Sequence, residues 1–505
     1  MSPNFTNCLS GRASRTAGRR RTNALGLVPL LLVTWCRIAA AAEPTVAEVW
    51  SDEVVQLSFE SLSPAVIEKL RYTLCDSIGV MVYTSQLDEV RRYRDATDDG
   101  GNAEATELVT GRRVPCGAAA AINAFAIHGY EIDDSNLRNQ VRASCVAIPA
   151  VLACAQKRKA TGRELLVGLA ASYHVTDRLG TYLNRQPAGA LHRKGWMPSS
   201  VCGGVGAAAG AGRLSRLSSE QLVSAIAFAA GGANGLFQYY LEGTDEKKIH
   251  VARSQQLAVE SVRLAELGFR GARGSIDGAA GLIAALAFEV RRDELLADFH
   301  RFDGVLHVKP KFYSCSQGVI PWLEALAPLV EARDLSPNEV REIVLYVDQP
   351  AESTYLRKIN DFTAPTSVIG AQLSVNYCVG LLLQRRSVFV DDFTDDALLD
   401  PKVLATAAKV RAVTDPKRIG QVAIRLADGR TLSASYPLAA LTEPYHPEAQ
   451  NYRRKFDALT SKRLLHAERD KLWNHVFRVA EVEDIDEWVT ELVGQMKLGT
   501  GVATE

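Results

Sequence analysis

Apolar residues recur at steps of three and four behind Ser63-Pro64, where Ile67, Leu70, Leu74 and Ile78 share one face. A serine cap followed by proline in the first turn predicts a helix start there. Thr161-Gly-Arg-Glu164 and Ser218-Ser-Glu-Gln221 read as capping boxes, opening helices over 165–179 and 222–230. Helical spacing also predicts elements over 252–267, 279–290, 452–465 and 484–496. Gly203–Gly212 is rich in glycine and alanine. It lacks phosphate-loop spacing, has no strand before it and no Lys-Ser/Thr after it, so it predicts a closely packed small-residue helix.

The pattern changes near residue 305. Val340–Val347 is β-branched and apolar, and Val422–Leu426 with Thr431–Tyr436 flank an Asp-Gly turn, which predicts a hairpin. The expected fold is mainly α with an inserted α+β domain: a targeting leader over 1–42, a large helical domain over 43–304, a smaller lid domain over 305–440, and a helical return over 441–505.

Charge and composition narrow the function. The 505 residues carry a formal net charge of +0, which argues against a nucleic-acid coat, because counterion release needs a concentrated basic face. The nine cysteines form no C-x-x-C and no zinc-ligand spacing, so they read as buried apolar thiols and no metal site is expected. The first 42 residues contain no acid. Arginines up to Arg21 precede the uncharged run Ala24–Cys36 and then Ala39–Ala42, the order of a secretory signal too short to anchor in a bilayer. Export to a periplasmic or extracellular space is the first expectation; a mitochondrial address, or a vestigial extension on a cytoplasmic protein, is the alternative.

The chemistry concentrates in His128-Gly-Tyr-Glu-Ile-Asp-Asp-Ser135. Three carboxylates this close repel one another unless cations face them or one keeps its proton. Three further blocks are Arg193-Lys-Gly-Trp-Met-Pro198, Gly243-Thr-Asp-Glu-Lys-Lys-Ile-His250 and Lys311-Phe-Tyr-Ser-Cys-Ser316, the last running into Ile320-Pro-Trp-Leu-Glu-Ala-Leu326. Taken in this order, the four blocks resemble H-A-x-D-F-D-D-T, R-x-G-F-H-P, G-T-D-x-K-R-L-H and K-P-Y-P-S-C…H-P-A-I-D-A-L of the MmgE/PrpD family. That family includes 2-methylcitrate dehydratase, cis-aconitate decarboxylase and iminodisuccinate epimerase. The likeness runs from about residue 47 to 495.

The resemblance implies a homodimer with the active site between a helical domain and a lid, and a lyase acting on a small di- or tricarboxylate without a cofactor. Carried over by position, it makes Glu131, Asp133, Asp134, Lys247 and Lys311 the catalytic candidates. His128, Ser135, Arg142, Lys248 and His250 become substrate-binding candidates, with cations offsetting a desolvated carboxylate. Three family histidines are missing. Arg142 or Val141 stands at one, Met197 at the second and Ile320 at the third. Methionine and isoleucine exchange no protons, and arginine keeps its charge. His192 is a spatial substitute for Met197, and Tyr355 a lid tyrosine near the substrate. Three readings stay open: a carbon–oxygen or carbon–carbon lyase, an isomerase or epimerase of a similar carboxylate, and a non-catalytic carboxylate-binding homologue.

Overall fold

The computed structural model describes residues 43–97, 100–136, 138–184, 191–349, 353–437, 443–445 and 449–496. The leader over 1–42 lies outside the described residues. Residues Pro44–Glu505 make up one compact unit. Its apolar core has two main parts. One is built from residues between Val46 and Val308 together with Tyr452–Met496; the other lies between Cys315 and Tyr436.

Helix α1 (Pro64–Thr84) starts as its sequence dictates, with the Ser63 hydroxyl accepting from the Val66 amide at 3.3 Å. Helix α2 (Cys116–Ile127) is alanine-rich and buried around nearly its whole circumference, and ends on His128. The chain then turns through Glu131, whose backbone is left-handed at φ 54°, into the short strand β1 (Asp134–Asn136).

Helix α3 (Gly162–Asn184) opens on the expected Thr161 box, with the Glu164 carboxylate accepting from the Thr161 amide at 2.8 Å. It packs on α4 (Pro198–Leu214), the glycine-rich stretch, which is a helix as expected. A Cβ on Gly206 would lie 2.6 Å from the Ser172 carbonyl oxygen, so the missing side chain is what lets these two backbones approach. The Ser218 box opens the helix Ser219–Gly231. Helix α5 (Glu246–Glu266) begins six residues before the expected 252, which brings Lys247 into its first turn.

Strand β2 (Val308–Pro310) pairs antiparallel with β1, Asp134 opposite Pro310 and Ser135 opposite Lys309. Four strands follow: β3 (Val340–Val347), β4 (Val410–Thr414), β5 (Gln421–Leu426) and β6 (Thr431–Ser435), in the sheet order β4-β3-β5-β6. β3 and β4 are parallel, and the helices between them make the crossover that parallel pairing requires. The β5–β6 hairpin is antiparallel, as its Asp-Gly turn predicts.

Two expected helices differ. Over 279–290 only Leu282–Ala285 is helical. Glycines let the chain fold back there: the Leu282 amide donates to Ser275 O at 2.8 Å, and Ala287, left-handed at φ 57°, ends the turn. The expected 452–465 helix stops at Thr460, whose carbonyl accepts from both Arg463 and Leu464, and a separate helix starts at His466. All seven cysteines among the described residues are buried and unpaired. No described helix is long and apolar enough to cross a membrane.

Candidate active site

The β1–β2 ribbon brings the acidic loop and the 311 lysine together. One residue beyond β2, Lys311 Nζ donates to Asp133 Oδ1 at 2.9 Å, to the Glu131 carbonyl at 3.1 Å and to Glu131 Oε2 at 3.3 Å. The left-handed turn at Glu131 aims that carbonyl at the lysine. From the first turn of α5, Lys247 Nζ pairs with Glu131 Oε1. Cations from two distant stretches of chain thus converge on Glu131 and Asp133, all of it buried.

Burial pushes the Lys247 amine well below the ordinary lysine range, and the charges of Lys311 and Lys248 add to this. The first turn of a helix disfavours a cation in the same sense. Burial also lowers Lys311, with Asp133 opposing. Burial alone would raise Asp133, but Lys311, His128 and Arg142 outweigh it and hold the carboxyl well below the usual range.

His128 Nδ1 lies 2.6 Å from Asp133 Oδ2. Burial and the charge of Lys247 push this imidazole down to about 3, so it is neutral at neutral pH and its Nδ1–H donates to the carboxylate. His128 therefore orients Asp133, and its buried Nε2 has no protein partner.

Asp134 points away from these cations. Its carboxylate accepts from the Ser144 amide at 2.9 Å and from the Ser144 hydroxyl, which in turn lies 2.5 Å from the Tyr173 hydroxyl. Burial and the charge of Asp76 raise its pKa to about 6. The two neighbouring acids are thus pushed in opposite directions, because Asp133 faces Lys311, His128 and Arg142 while Asp134 faces Ser144 and Asp76.

Ser135 Oγ accepts from Arg142 Nη1 at 2.9 Å, and the same nitrogen donates to Gln317 Oε1. Arg142 Nε has no partner. Arg142, Lys247 and Gln317 lie on a cavity of about 770 Å³ whose lining also includes His192, Met197, Tyr355, Tyr239, Tyr240 and Trp322. His192 and Met197 thus share this cavity, and burial with the charge of Arg193 pushes His192 down to about 4. Glu131 and Asp133 do not line it; Lys247, paired with Glu131, does.

Two of the expected pocket residues are not brought into the cluster. Lys248 pairs with Glu89 at 2.5 Å and Asp245 at 3.5 Å. Adjacent helical residues point about 100° apart, so when Lys247 faces Glu131, Lys248 cannot. His250 is half-buried, with its ring 6.4 Å from that of Tyr239, and is not part of the cavity lining.

His128, Asp133 and Cys145 hold potential ligand atoms within 4.8 Å of one another. They fit a metal ion poorly. Lys311 already occupies Asp133, and burial with the charges of Asp133 and Asp134 keeps the Cys145 thiol protonated.

The sequence blocks did not single out Gln317, Ser199, whose hydroxyl accepts from the Arg142 amide at 2.9 Å, or the aromatic lining apart from Tyr355. The dense run Phe237-Gln-Tyr-Tyr-Leu241, just ahead of the 243–250 block, was the available signal.

With the fold and this geometry in place, comparison with known proteins is direct. Residues 50–292 match the MmgE/PrpD N-terminal domain and residues 313–478 the MmgE/PrpD C-terminal domain. The chain belongs to the MmgE/PrpD family. It is 22% identical over 475 residues to the cis-aconitate decarboxylase-like protein oryM of Aspergillus oryzae, covering 88% of this chain and 96% of that protein. It is similar at 23% over 488 residues to cis-aconitate decarboxylase of Homo sapiens, covering 89% and 95%. The cis-aconitate decarboxylase of Aspergillus terreus is 21% identical over 409 residues, covering 75% and 82%.

Proposed function

We propose that this protein is a lyase, a dehydratase or decarboxylase, acting on a carboxylic acid through acid–base chemistry. The observation that carries this reading is Lys247, an amine on the cavity floor with a lowered pKa, backed by Glu131. A deprotonated amine that faces substrate and has a carboxylate behind it can take a proton and pass it on. Arg142, with Ser135 and Gln317 fixing Nη1, recognises the substrate carboxylate through its remaining donors.

In the dehydratase form, Lys247 Nζ takes the proton from the carbon beside that carboxylate. The electron pair forms a double bond, and the adjacent C–O bond breaks; the departing hydroxide takes the proton now on Lys247 and leaves as water. In the decarboxylase form a C–C bond to a carboxylate breaks, carbon dioxide leaves, and the carbon takes a proton that Lys247 Nζ relays from water. The relatives' names support a small polycarboxylate such as cis-aconitate. Met197 on the cavity lining favours a second reading, an isomerase or epimerase, because a residue that exchanges no protons stands where the family pattern has a histidine, and an isomerase needs no leaving group protonated.

The test is incubation of the full chain with citrate, cis-aconitate, malate-type, iminodisuccinate and arylalkyl acids, followed by NMR in deuterated water. Alkene formation or loss of carbon dioxide supports the lyase. Deuterium entering without elimination selects the isomerase. Neither event with any acid, despite a ligand-induced rise in Tm, would reduce the protein to a carboxylate-binding homologue.

A further inference from the structure

The cavity is large for the compact acids of the relatives. At about 770 Å³ it sits in the upper part of the range, roughly 300–1,000 Å³, that drug-sized ligands fill. Its lining is rich in aromatic rings. Tyr239 and Tyr240 come from the segment before α5; Trp322, Tyr346 and Tyr355 come from the α/β domain. These rings are held in place from outside the cavity. Lys358 Nζ lies 4.6 Å from the Tyr240 ring centroid and donates to the Tyr240 carbonyl at 2.7 Å. Arg418 stacks 3.5 Å from the Tyr346 ring, and the Trp322 indole donates to the Tyr355 hydroxyl at 3.2 Å.

The charges on the lining point the same way. Each desolvated carboxylate of a ligand needs a cation or several donors. Among the described residues of the lining, Arg142 is the buried cation that has no carboxylate partner. Lys247 pairs with Glu131 and serves as the base rather than as an anchor, Arg193 is exposed to solvent, and the exposed Asp348 adds a negative charge of its own. A tricarboxylate anchored on Arg142 would leave its other two carboxylates to neutral donors such as Ser199, His192 and the tyrosine hydroxyls, with no second unpaired buried cation among the described residues of the lining.

We propose that the substrate carries one carboxylate, seated on Arg142, and a bulky apolar or aromatic body that fills the cavity among the rings of Tyr239, Tyr240, Trp322 and Tyr355. This rests on the reading of Arg142 as the substrate anchor. It changes the substrate class from a compact polycarboxylate to an arylalkyl or similarly extended monocarboxylic acid.

Calorimetric titration of the full chain with hydrocinnamate, trans-cinnamate and cis-aconitate tests it. The aryl acids are expected to bind at least about tenfold more tightly than cis-aconitate. Ile419→Arg, at a half-buried position of the lining, adds a cation to the wall and is expected to reverse or erase that preference. Arg142→Gln is expected to weaken every acid. Equal or tighter binding of cis-aconitate overturns the proposal, as does absence of aryl-acid binding or an Ile419→Arg preference identical to wild type. The two readings fail separately. Turnover of a tightly bound cis-aconitate would leave the lyase standing and remove the monocarboxylate. Tight aryl-acid binding with no chemistry on any acid would do the reverse.

Discussion

Lys311 meets two carboxylates and a carbonyl with almost none of its surface in water, so its role is structural as much as electrostatic. Replacing Lys311 therefore acts on the fold as well as on the site. Removing one partner of a buried ion pair typically costs about 3–5 kcal/mol, because the other charge stays buried and unpaired. Lys311→Met is expected to lower stability by about that much in denaturant unfolding, and Lys311→Met/Asp133→Asn to recover part of the loss. A Lys311→Met protein as stable as wild type would remove the buried network from the account. Arg142→Gln is expected to raise KM about tenfold or more with the fold unchanged, since a charged hydrogen bond to substrate is worth about 1.5–3 kcal/mol; steady-state kinetics on any turned-over acid reads it.

Two titrations at this scale oppose each other. His128 has a folded pKa of about 3, below its ordinary value, so its contribution is fully present above about pH 6.5 and is lost as pH falls toward 3. Its size is on the order of 5 kcal/mol. Asp134 is raised to about 6, so its contribution is present below about pH 4 and is lost as pH rises through 6. His128→Asn is expected to flatten the acid-side fall in stability and Asp134→Asn to steepen it, measured as denaturation midpoint against pH. Parallel curves for both variants and wild type would contradict the assigned protonation states.

Elements set these residues in place. The β1–β2 ribbon fixes Lys311 beside Asp133, and the early start of α5 puts Lys247, not Lys248, against Glu131. The sequence blocks made the lysines and acids legible, because their residue types and order carry the family likeness. The helix phase that separates Lys247 from Lys248 was not legible, since both are lysines in one run and only packing decides which one faces inward. Nor was the short helix at 282–285, where glycine-mediated backbone contacts override an apolar run of the right length. The α3–α4 contact was readable from its small residues. Gly206→Ala is expected to destabilise the protein by about 1–3 kcal/mol through overpacking against Ser172 and Thr176, seen as a lower Tm. An unchanged Tm would mean that the two helices can separate without cost.

At the scale of the molecule, the mainly α fold with a smaller α/β part followed from the periodicity change near residue 305 and the Asp-Gly hairpin. The cavity did not follow. Its walls gather side chains from near residues 240, 320, 346, 355 and 436, and no local pattern announces that these segments meet. The functional account depends on what this assembly does for one proton: Lys247 faces the cavity, Glu131 stands behind it, and Lys311 with Asp133 holds Glu131 in place.

The most direct measurement is proton exchange at the carbon beside the carboxylate, followed by NMR in deuterated water for wild type and Glu131→Gln on whichever acid the panel identifies. The account expects deuterium to enter with wild type and the rate to fall about a hundredfold or more in Glu131→Gln, with the near-ultraviolet circular dichroism of the folded protein retained. Exchange at the wild-type rate in a folded Glu131→Gln protein would contradict it.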